Sequence, residues 1–582
     1  MQYKDSTNNT ISIIVGITGH RDIFVEDEAE LRRLVIDQLQ ALKNEFPNTP
    51  LLLLSGLAEG ADRLVVKVAI ELDISFSAVL PMPQEEYCND FETMESKQEF
   101  TQLLTYAKWI DTLPSPAYNM HTSSRNDCYE QLGVYLARYS HVLMALWDGD
   151  TTEKTGGTSQ VVRYFLSGIP PNFSPNVGTL VFPSYGKVIH FSTRRSSQSK
   201  ISKEVEVSFL WPDIYSNNKP NIFKQLQENW QATLKQIDDF NSDVKQFYNT
   251  TGNKNKIKES LSYLLGKDFQ FDSLDKQAQS IAKLFAISDS MSQAAQVKRH
   301  ADFLRLIILA LIVIVGEQAY GVFVQWSLLA MTISVGVLAC LFYQHMQIQR
   351  LEFKYLDYRA LAEALRIQFF WHISGVSANV ADHFLRDQQD ELEWIRLVIQ
   401  SQELPVSPRL TTRELQLDFI QERWIKDQRN YFIGDNLSNK GKYILNKQKN
   451  DELAFKMRLS FIFGIIVVCA TLIFHLTIFD SLPAEWRDYV LNSFIATYGV
   501  LFWIVPTIKL YSEFQAYDEQ SKRYIRIGNY YALCEKQLLG IIQGNSDIKA
   551  NDLLVEMGRQ ALIENSDWLQ FHRQRPSQVP IL

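Results

Sequence analysis

The chain has 582 residues, which corresponds to about three or four domains. Its net charge of −8 excludes a protein that binds nucleic acid through an overall basic surface, and we expect no nucleic-acid partner. Apolar residues make up 46% and charged residues 21%, which excludes a wholly disordered chain. The mean hydropathy of −0.14 suits a soluble protein, but this average conceals long uncharged segments in the C-terminal half.

Cysteine and histidine patterns bear on the redox environment and on metals. The five cysteines lie far apart without a CxxC pair, and the ten histidines include no HExxH, so we expect neither a disulfide framework nor a zinc site. The N-terminal sequence MQYKDSTNNT lacks the basic and apolar regions of a cleaved signal peptide. We therefore expect the soluble part to lie in the reducing cytoplasm, with no metal and no required cofactor.

Residues 1–200 predict an α/β domain, because short apolar runs alternate with helix-forming segments. The predicted strands are 11–18, 49–55, 74–81, 141–149 and 187–195. Each run is almost entirely apolar, which is typical of parallel strands with helices on both faces of the sheet. The fold class we expect here is a Rossmann-like parallel sheet.

Small and polar residues follow four of these strands, at the edge where open parallel sheets bind their ligands. Glycine lets the backbone approach a ligand closely, and the amides at the next helix start suit a phosphate or another anion. Tight strand–helix turns also favour glycine, so each loop alone has a second interpretation. The candidate ligand-binding residues in these loops are Gly19, His20, Arg21, Ser55, Gly56, Glu59, Gly60, Asp62, Trp147, Asp148, Gly156, Gly157 and Thr158.

Four charged or titratable side chains in these loops have alternative roles. His20 either contacts a phosphate or caps the first helical turn, whereas Arg21 binds the ligand or forms a salt bridge. Glu59 and Asp62 suit acid–base chemistry or a ribose hydroxyl, and either can instead stabilise the helix N-terminus. We favour ligand contact for Glu59, and a cap or an arginine pair for Asp62. Two further arginines at the same rim are phosphate candidates, Arg194 and Arg195.

Three blocks, GITGHRD, LLSGLAEGADRL and ALWDG with TGGTSQVV, together resemble the SLOG superfamily. That Rossmann-like group includes the LOG nucleotide phosphoribohydrolases and DprA-like DNA-processing proteins, and the resemblance covers the N-terminal third of the chain. It implies a nucleotide or NAD-derived messenger as the ligand, with Arg125 and Tyr129 of SSRNDCYEQL facing it. Arg125, which we expect in a loop, either clamps an anion or is a solvated charge.

One departure from that superfamily bears on catalysis. Its hydrolases carry a PGGxGTxxE signature with a catalytic glutamate, whereas this chain has KTGGTSQVV, with Gln160 or Val161 near the expected acid. The resemblance therefore favours binding over hydrolysis, and we assign no catalytic residue. A membrane-tethered LOG-type nucleotide N-glycosidase is the alternative.

The rest of the chain predicts a helical connector (201–302) and two membrane hairpins with cytoplasmic helices (303–400 and 459–582), separated by a cytoplasmic segment (401–458). Within the connector, 249–260 predicts a linker, and the part from 271 predicts a continuous helix into the first span. The four spans, each long enough for the hydrocarbon core, are 303–322, 326–343, 459–479 and 490–508. A buried soluble hairpin is the alternative interpretation.

Charge asymmetry orients these spans. The two short turns hold one Lys or Arg between them, Arg487, whereas the opposite side is rich in both. The positive-inside rule therefore places both termini and the middle segment in the cytoplasm. Glu317 and His475 lie close to span ends, where interfacial hydration suits an ionisable group.

The two hairpins indicate an internal repeat, because each is followed by a helix with an apolar stripe, RLEFKYLDYRALAEALRIQFFW and SKRYIRIGNYYALCEKQLL. Such a helix couples a cytoplasmic domain to the spans, joins subunits, or packs on its own neighbours. The layout resembles the SLATT membrane domains, which are associated with SLOG domains. That resemblance implies a bacterial antiphage effector that forms homo-oligomers and permeabilises the lipid bilayer of the inner membrane, with a separate signal-producing enzyme as partner. A nucleotide-regulated ion channel is a further alternative.

Overall fold

The structure, a computed structural model, describes most of the chain. Outside the described residues lie 1–9, 115–124, 152–153, 171, 174–185, 197–204, 213–219, 268, 384–388, 403, 405–412, 436–439, 545–546 and 574–582. The described residues contain seven strands, β1 (Ile13–Gly19), β2 (Leu51–Ser55), β3 (Ser75–Leu80), β4 (Ile110–Thr112), β5 (Val142–Trp147), β6 (Lys187–Ser192) and β7 (Val207–Leu210).

All seven strands belong to one sheet with the order β4-β3-β2-β1-β5-β6-β7. Strands β1 to β6 pair in parallel and β7 pairs antiparallel with β6, so the sheet is mostly parallel, as predicted. The five strands expected from sequence are confirmed within a few residues, but the sequence does not predict β4 or β7. Both are short and only partly buried, so neither has the apolar run that identifies the others. The sheet extends to Leu210, past the boundary expected at residue 200.

Helices cover both faces of the sheet. The N-terminal region contains α1 (Glu28–Glu45), α2 (Ala61–Glu71), α3 (Gln84–Tyr87), α4 (Met94–Tyr106), α5 (Arg125–Tyr139) and α6 (Thr158–Ser167). Alternate residues of β1 pack on opposite faces, Val15 and Ile17 in one cluster with α1 and α2, and Ile14 in another with α5 and α6. Helix α1 buries one stripe at helical spacing, formed by Leu31, Val35, Leu39 and Leu42.

After the sheet, the described residues form thirteen α-helices, α7 (Pro220–Asn249), α8 (Asn253–Leu265), α9 (Lys276–Phe323), α10 (Trp326–Gln349), α11 (Leu351–Ser374), α12 (Val380–His383), α13 (Gln389–Ser401), α14 (Arg413–Ile420), α15 (Asp427–Ile433), α16 (Gly441–Thr477), α17 (Ala484–Gln515), α18 (Tyr517–Gly544) and α19 (Asp547–Arg573). The linker expected at 249–260 is wrong, because most of it belongs to α8. Leu264 and Leu265 are buried there, and Ser260 donates a hydrogen bond to Asp289 of α9 at 2.7 Å, so packing stabilises a helix with a polar sequence. Helix α9 runs unbroken for 48 residues, which confirms the continuous helix from the connector into the first apolar segment.

Helix α7 joins the sheet to the helical part along the amino ends of the strands. Its Asp238 accepts hydrogen bonds from the Asn48 amide at 2.7 Å and from the Thr49 hydroxyl at 3.0 Å, just before β2. Its Asn241 pairs with both the amide and the carbonyl of Ile11, at 2.9 Å each, just before β1. The carboxyl ends of these strands lie at the opposite edge, away from α7.

Four stretches of helix in the described chain are long and apolar enough to cross a membrane, as predicted. They comprise α9, α10 with α11, α16, and α17 with α18, and their apolar windows have mean hydropathies between 1.5 and 2.5. At most 11% of any such window is buried inside the protein. Most apolar side chains in these windows therefore face outward, where hydrocarbon is a more favourable environment than water.

The two hairpins share one layout. In each, a long helix (α9 or α16) is followed by a second helix (α10 or α17), and a third helix (α11 or α18) packs back against the first. A single non-glycine residue with positive φ separates the second helix from the third, Arg350 at 47° and Ala516 at 49°. This conformation is uncommon for a residue with a side chain, so the matching breaks support the internal repeat.

Helices α9 and α17 bring the two hairpins into contact. Phe303 of α9 stacks on Phe514 of α17 with the ring centroids 3.7 Å apart. The guanidinium of Arg299 lies 4.3 Å from the centroid of the Phe514 ring. Within the first hairpin, a Cβ added to Gly316 would lie 2.3 Å from the Thr332 hydroxyl of α10. The absence of a side chain at that glycine thus allows two apolar helices to pack closely, as is common between membrane helices.

Candidate functional site

The strand order changes direction between β1 and β5, which is the switch point where open α/β sheets bind ligands. His20 follows β1 and Asp148 follows β5, so the topology brings the two side chains together. The Nε2 atom of His20 accepts a hydrogen bond from the Asp148 amide at 3.1 Å and lies 3.2 Å from Asp148 Oδ2. Burial lowers the pKa of His20 although Asp148 opposes this effect, so a neutral ring that links the two loops fits the geometry.

Asp62 lies in the first turn of α2 and is almost completely buried. Its Oδ2 accepts long hydrogen bonds, at 3.4 Å each, from the Ser55 hydroxyl and the Ala58 amide. Burial raises the pKa of Asp62 to about 7, although these two donors and Arg21 act in the opposite direction. A carboxyl group that titrates near neutral pH at the ligand-binding edge of a sheet is a candidate for function.

Arg21, Arg125 and Tyr129 form a group at the same edge. The Arg21 guanidinium lies 5.0 Å from the centre of the Tyr129 ring. The Tyr129 hydroxyl donates to Asp90, and Arg125 donates to the other oxygen of Asp90 at 2.5 Å and to the Glu86 carbonyl at 3.1 Å. Arg125 is the first residue of α5 and not part of a loop as expected, so its position is fixed against the segment that follows β3.

Two buried polar side chains beside this group are not predicted from the sequence. Tyr87 is fully buried, and its hydroxyl has no hydrogen-bond partner among the described residues. Burial, and to a smaller extent Tyr129, raise the pKa of Tyr87 well above its usual value. Arg63 is also buried, and it donates to the Ser96 hydroxyl at 2.8 Å and to Glu99 at 2.9 Å. The available signal for Tyr87 is the polar run QEEYCND directly after the third strand.

Glu59 has a partner on α4. Its carboxylate accepts a hydrogen bond from the hydroxyl of Ser96, the same side chain that accepts from Arg63. Ser96 lies in the first turn of α4, so Glu59 contributes to the packing between α4 and the loop before α2. Ligand contact by Glu59 stays a prediction, and the hydrogen bond to Ser96 gives this carboxylate a structural role.

Close packing between loops explains three of the candidate glycines. A Cβ on Gly19 would lie 2.3 Å from the Cβ of the first residue of α2, and a Cβ on Gly60 would lie 2.4 Å from the Arg21 carbonyl. A Cβ on Gly156 would lie 2.5 Å from that of Tyr129. Gly60 and Gly156 also have positive φ, at 76° and 73°, which favours glycine further. These loops require glycine in order to pack against each other, whether or not a ligand binds.

The GGT loop forms the start of α6. Gly157 is its N-cap residue and Thr158 its first helical residue. The Gly156 amide donates to the Gln160 side-chain oxygen at 2.6 Å, and the Gln160 side-chain nitrogen donates to Glu130 at 2.9 Å. Gln160, which lies near the expected position of the catalytic acid, thus links the GGT loop to Glu130 of α5. The positive end of a helix dipole lies at this loop, which favours an anion there.

The remaining candidates at this edge have partners within the protein. The indole nitrogen of Trp147 donates to the Asp150 carbonyl at 3.1 Å, and its ring packs on His190 with centroids 5.3 Å apart. A Cβ on Gly56 would lie 2.7 Å from Leu132 of α5. The two rim arginines form ion pairs with aspartates, Arg194 with Asp27 and Arg195 with Asp22.

The sheet edge therefore collects most of the predicted residues into adjoining groups. One group contains Arg21, Ser55, Asp62, Arg125 and Tyr129, the next contains His20, Trp147 and Asp148, and the GGT loop borders Tyr129. Comparison of the chain with protein-family models, with curated proteins and with solved structures finds no match. Its function is therefore inferred from sequence and geometry.

Proposed function

We propose that the chain is a multi-pass membrane effector that binds a nucleotide-derived messenger at the carboxyl edge of its sheet and responds by oligomerising and permeabilising the bacterial inner membrane. One observation carries this proposal. The same chain combines four apolar helices of membrane-spanning length with an exposed arginine, Arg21, beside the buried carboxyl of Asp62 at the switch point of a parallel sheet. The resemblance to SLOG and SLATT domains supplies the antiphage role and a partner enzyme that makes the messenger.

A ligand with phosphate groups suits this edge for three physical reasons. Arg21 is exposed and, within the part of the chain that the structure describes, forms no ion pair with a carboxylate. The N-termini of α2 and α6 lie at the same edge, and helix N-termini favour anions. Because the pKa of Asp62 is raised to about 7, this carboxyl is partly neutral near neutral pH and repels a phosphate less.

Helix α5 offers a direct route from this edge to the helical part. Arg125 and Tyr129 lie at its start, within the candidate site. Arg138 lies at its end, where it pairs with Asp382 of α12 at 2.7 Å, and its carbonyl accepts a hydrogen bond from Gln400 of α13 at 2.5 Å. A ligand changes the membrane part through such contacts only if it binds the active arrangement more tightly than the inactive one.

The charge pattern supports an orientation with both termini in the cytoplasm. Lys298, Arg299, Lys456 and Arg458 precede the first and third spans, whereas Arg487 is the single Lys or Arg of the two turns on the other side. Cytoplasmic loops carry such an excess of basic residues. This orientation puts the sheet in the compartment that contains nucleotides.

Thermal unfolding of the full-length protein in detergent tests binding. The panel consists of cyclic di- and oligonucleotides, NAD, ADP-ribose and cyclic ADP-ribose. We expect one compound to raise the unfolding midpoint and to be recovered chemically unchanged. Arg21→Gln should abolish this shift, whereas Arg33→Gln, an exposed arginine of α1 that pairs with Glu30 and Asp37, should preserve it. An Arg21→Gln protein that responds like the parent would show that the proposed site is wrong.

Dye release from proteoliposomes tests the response of the membrane part. The stabilising compound should cause release with the parent protein and none with Gly157→Glu, which places a carboxylate at the N-cap of α6. A Cβ there would lie 3.1 Å from the Lys154 carbonyl oxygen, which is a tight contact, so the unfolding midpoint of the variant is measured first to show that it is folded. Saturating binding without any release would contradict the permeabilising role.

A second candidate function is that of a membrane-tethered nucleotide N-glycosidase. Two observations favour it. The buried Asp62 has a pKa of about 7, which suits general acid–base catalysis, and the nearby hydroxyl of Tyr87 has no hydrogen-bond partner in the described part of the chain. Release of free base from a compound of the panel, lost in Asp62→Asn, would support this activity. Recovery of every compound intact would exclude it for this panel.

A further inference from the structure

A cavity of about 460 Å³ lies within the helical part of the protein. Helices α9, α11, α15, α16, α18 and α19 contribute most of its lining, together with the last residue of α17. Its walls therefore come from both hairpins and from the helices between and after them. The lining segments lie next to the ends of the apolar segments on the side that is rich in Lys and Arg. Pockets of this volume are typical of small-molecule sites.

Two arginines of α11 line one wall. Glu363 lies between Arg359, at 2.8 Å, and Arg366, so one carboxylate is shared by two guanidinium groups. Arg366 is 8% exposed, and its Nε has no hydrogen-bond partner among the described residues. A buried donor without an acceptor is unfavourable, so an acceptor supplied by a ligand would stabilise this wall.

The facing wall carries Arg523 of α18 and Glu564 of α19. Arg523 donates to the Glu564 carbonyl at 2.7 Å, and its Nε lies 3.4 Å from the Glu564 carboxylate. Burial raises the pKa of Glu564 to about 7, and the like charge of Glu363 in the same cavity adds to this effect. The two carboxylates therefore repel each other. Because Glu564 is partly protonated near neutral pH, part of the positive charge of the arginines has no negative charge to balance it.

Further cations surround these arginines. Lys442 and Lys449 of α16 and Arg526 of α18 line the cavity and are exposed. Of these, Lys442 and Arg526 form no ion pair with a carboxylate in the described part of the chain. The whole lining contains six cationic side chains against three carboxylates. Such an excess from several helices favours an anion with several negative oxygens, for which arginine is the preferred partner.

We propose that this cavity binds a ligand with phosphate groups, held between the arginines of α11 and α18. The site is separate from the sheet edge and does not depend on the function proposed for that edge. Aromatic side chains in the same lining would contact an organic group attached to the phosphate, and the tyrosines among them are Tyr355, Tyr431, Tyr517, Tyr524, Tyr530 and Tyr531. A soluble nucleotide and the headgroup of an anionic phospholipid share this phosphate chemistry.

Occupation of the cavity would connect the two hairpins. Helix α11 is the third helix of the first hairpin, and α16 and α18 are the first and third helices of the second. A phosphate that bridges Arg366 and Arg523 would therefore fix the packing of one repeat against the other.

The test compares soluble and lipid phosphates on the full-length protein. In phosphatidylcholine nanodiscs, pyrophosphate and ADP are titrated by calorimetry and their effect on the unfolding midpoint is measured. In parallel, nanodiscs with phosphatidylglycerol are compared with pure phosphatidylcholine. Stabilisation by a soluble probe identifies a soluble ligand, and stabilisation by phosphatidylglycerol alone identifies a lipid headgroup.

The variants replace exposed lining residues, because replacing an exposed side chain is not expected to prevent folding. Lys442→Gln combined with Arg526→Gln should weaken binding of the effective probe about tenfold or more. Lys447→Gln is the matched control and should bind like the parent, because Lys447 is exposed on α16 and does not line the cavity. Arg21→Gln separates the cavity from the sheet edge, since loss of probe binding in that variant would place the probe at the edge and overturn the proposal. Absence of stabilisation by every probe, or equal binding by the double variant, would overturn the proposal.

Discussion

Replacement of Asp62 by Asn tests whether the sheet edge holds a buried, neutral acid. Asp62 is 6% exposed, and burial raises its pKa from 3.8 to about 7. The unfolded chain therefore releases this proton at a lower pH than the folded protein does. Between about pH 4 and about pH 7 the folded protein binds more protons than the unfolded chain, so its stability falls as the pH rises through this window.

The size of the effect follows from the difference between the two pKa values. A difference of about 3 corresponds to roughly 4 kcal/mol of lost stability above pH 7, at about 1.36 kcal/mol per pKa unit. Near pH 5.5 the loss is only about half as large, roughly 2 kcal/mol. Asn does not ionise and keeps an oxygen for Ser55 and Ala58. The stabilisation by Asp62→Asn should therefore be about 2 kcal/mol larger near pH 8 than near pH 5.5.

Thermal unfolding of both full-length proteins in detergent, at about pH 5.5 and about pH 8, measures this difference. Asp73→Asn is the matched control, because Asp73 is exposed just after the same helix and its positive φ of 53° suits Asn. The control should show no gain that depends on pH. An equal gain for Asp62→Asn at both pH values would refute the conclusion that burial raises the pKa of this carboxyl.

Three further substitutions test the helical part. Gly316→Ala should cost about 1–3 kcal/mol of stability in the same melting assay, because its Cβ would lie 2.3 Å from a hydroxyl of α10. Gly464→Ala is its control and should be neutral or slightly stabilising, because a Cβ at that position meets no atom within 4 Å. Gln325→Cys, in the turn between α9 and α10, should react with a membrane-impermeant maleimide from outside the cell, and protection there would contradict the proposed orientation. Tyr358→Phe should lower the free energy of chemical unfolding by about 1–3 kcal/mol, because the tyrosine hydroxyl donates to Asp243 of α7. An equal loss in an Asp243→Asn background would show that this hydrogen bond contributes nothing to stability.

Burial on both faces explains why the central strands are predictable from sequence. Residues 51–54 of β2 are four consecutive buried leucines, a run that a parallel strand between two helical layers allows. Ile110–Thr112 of β4 lacks this pattern, because an edge strand has one neighbour and exposes two of its three residues. Helix α8 is also not predicted from sequence, because its sequence is polar and packing on α9 stabilises the helix.

The candidate site is predictable only where a loop follows a strand closely. Arg21 and Asp62 are found because small and polar residues directly follow β1 and β2. Glu59 and Asp62 lie three positions apart in one segment, yet one bonds to α4 and the other is buried beside Ser55. Tyr87 is buried by aromatic packing that involves Phe91, Phe100 and Tyr129. Such inward orientation depends on contacts between distant segments and leaves no local pattern.

The cavity between the hairpins has no sequence signature, because its lining comes from segments between residues 296 and 568. The cavity and the sheet edge nevertheless offer two different points from which a ligand could control the membrane part. The sheet edge reaches the helices through the end of α5, at the Arg138–Asp382 pair, whereas the cavity lies directly between helices of both hairpins. If both ligands favour the same hairpin packing, each must tighten the binding of the other by the same factor. The dissociation constant of the cavity probe, measured with and without saturating sheet-edge ligand, therefore distinguishes one coupled sensor from two independent sites.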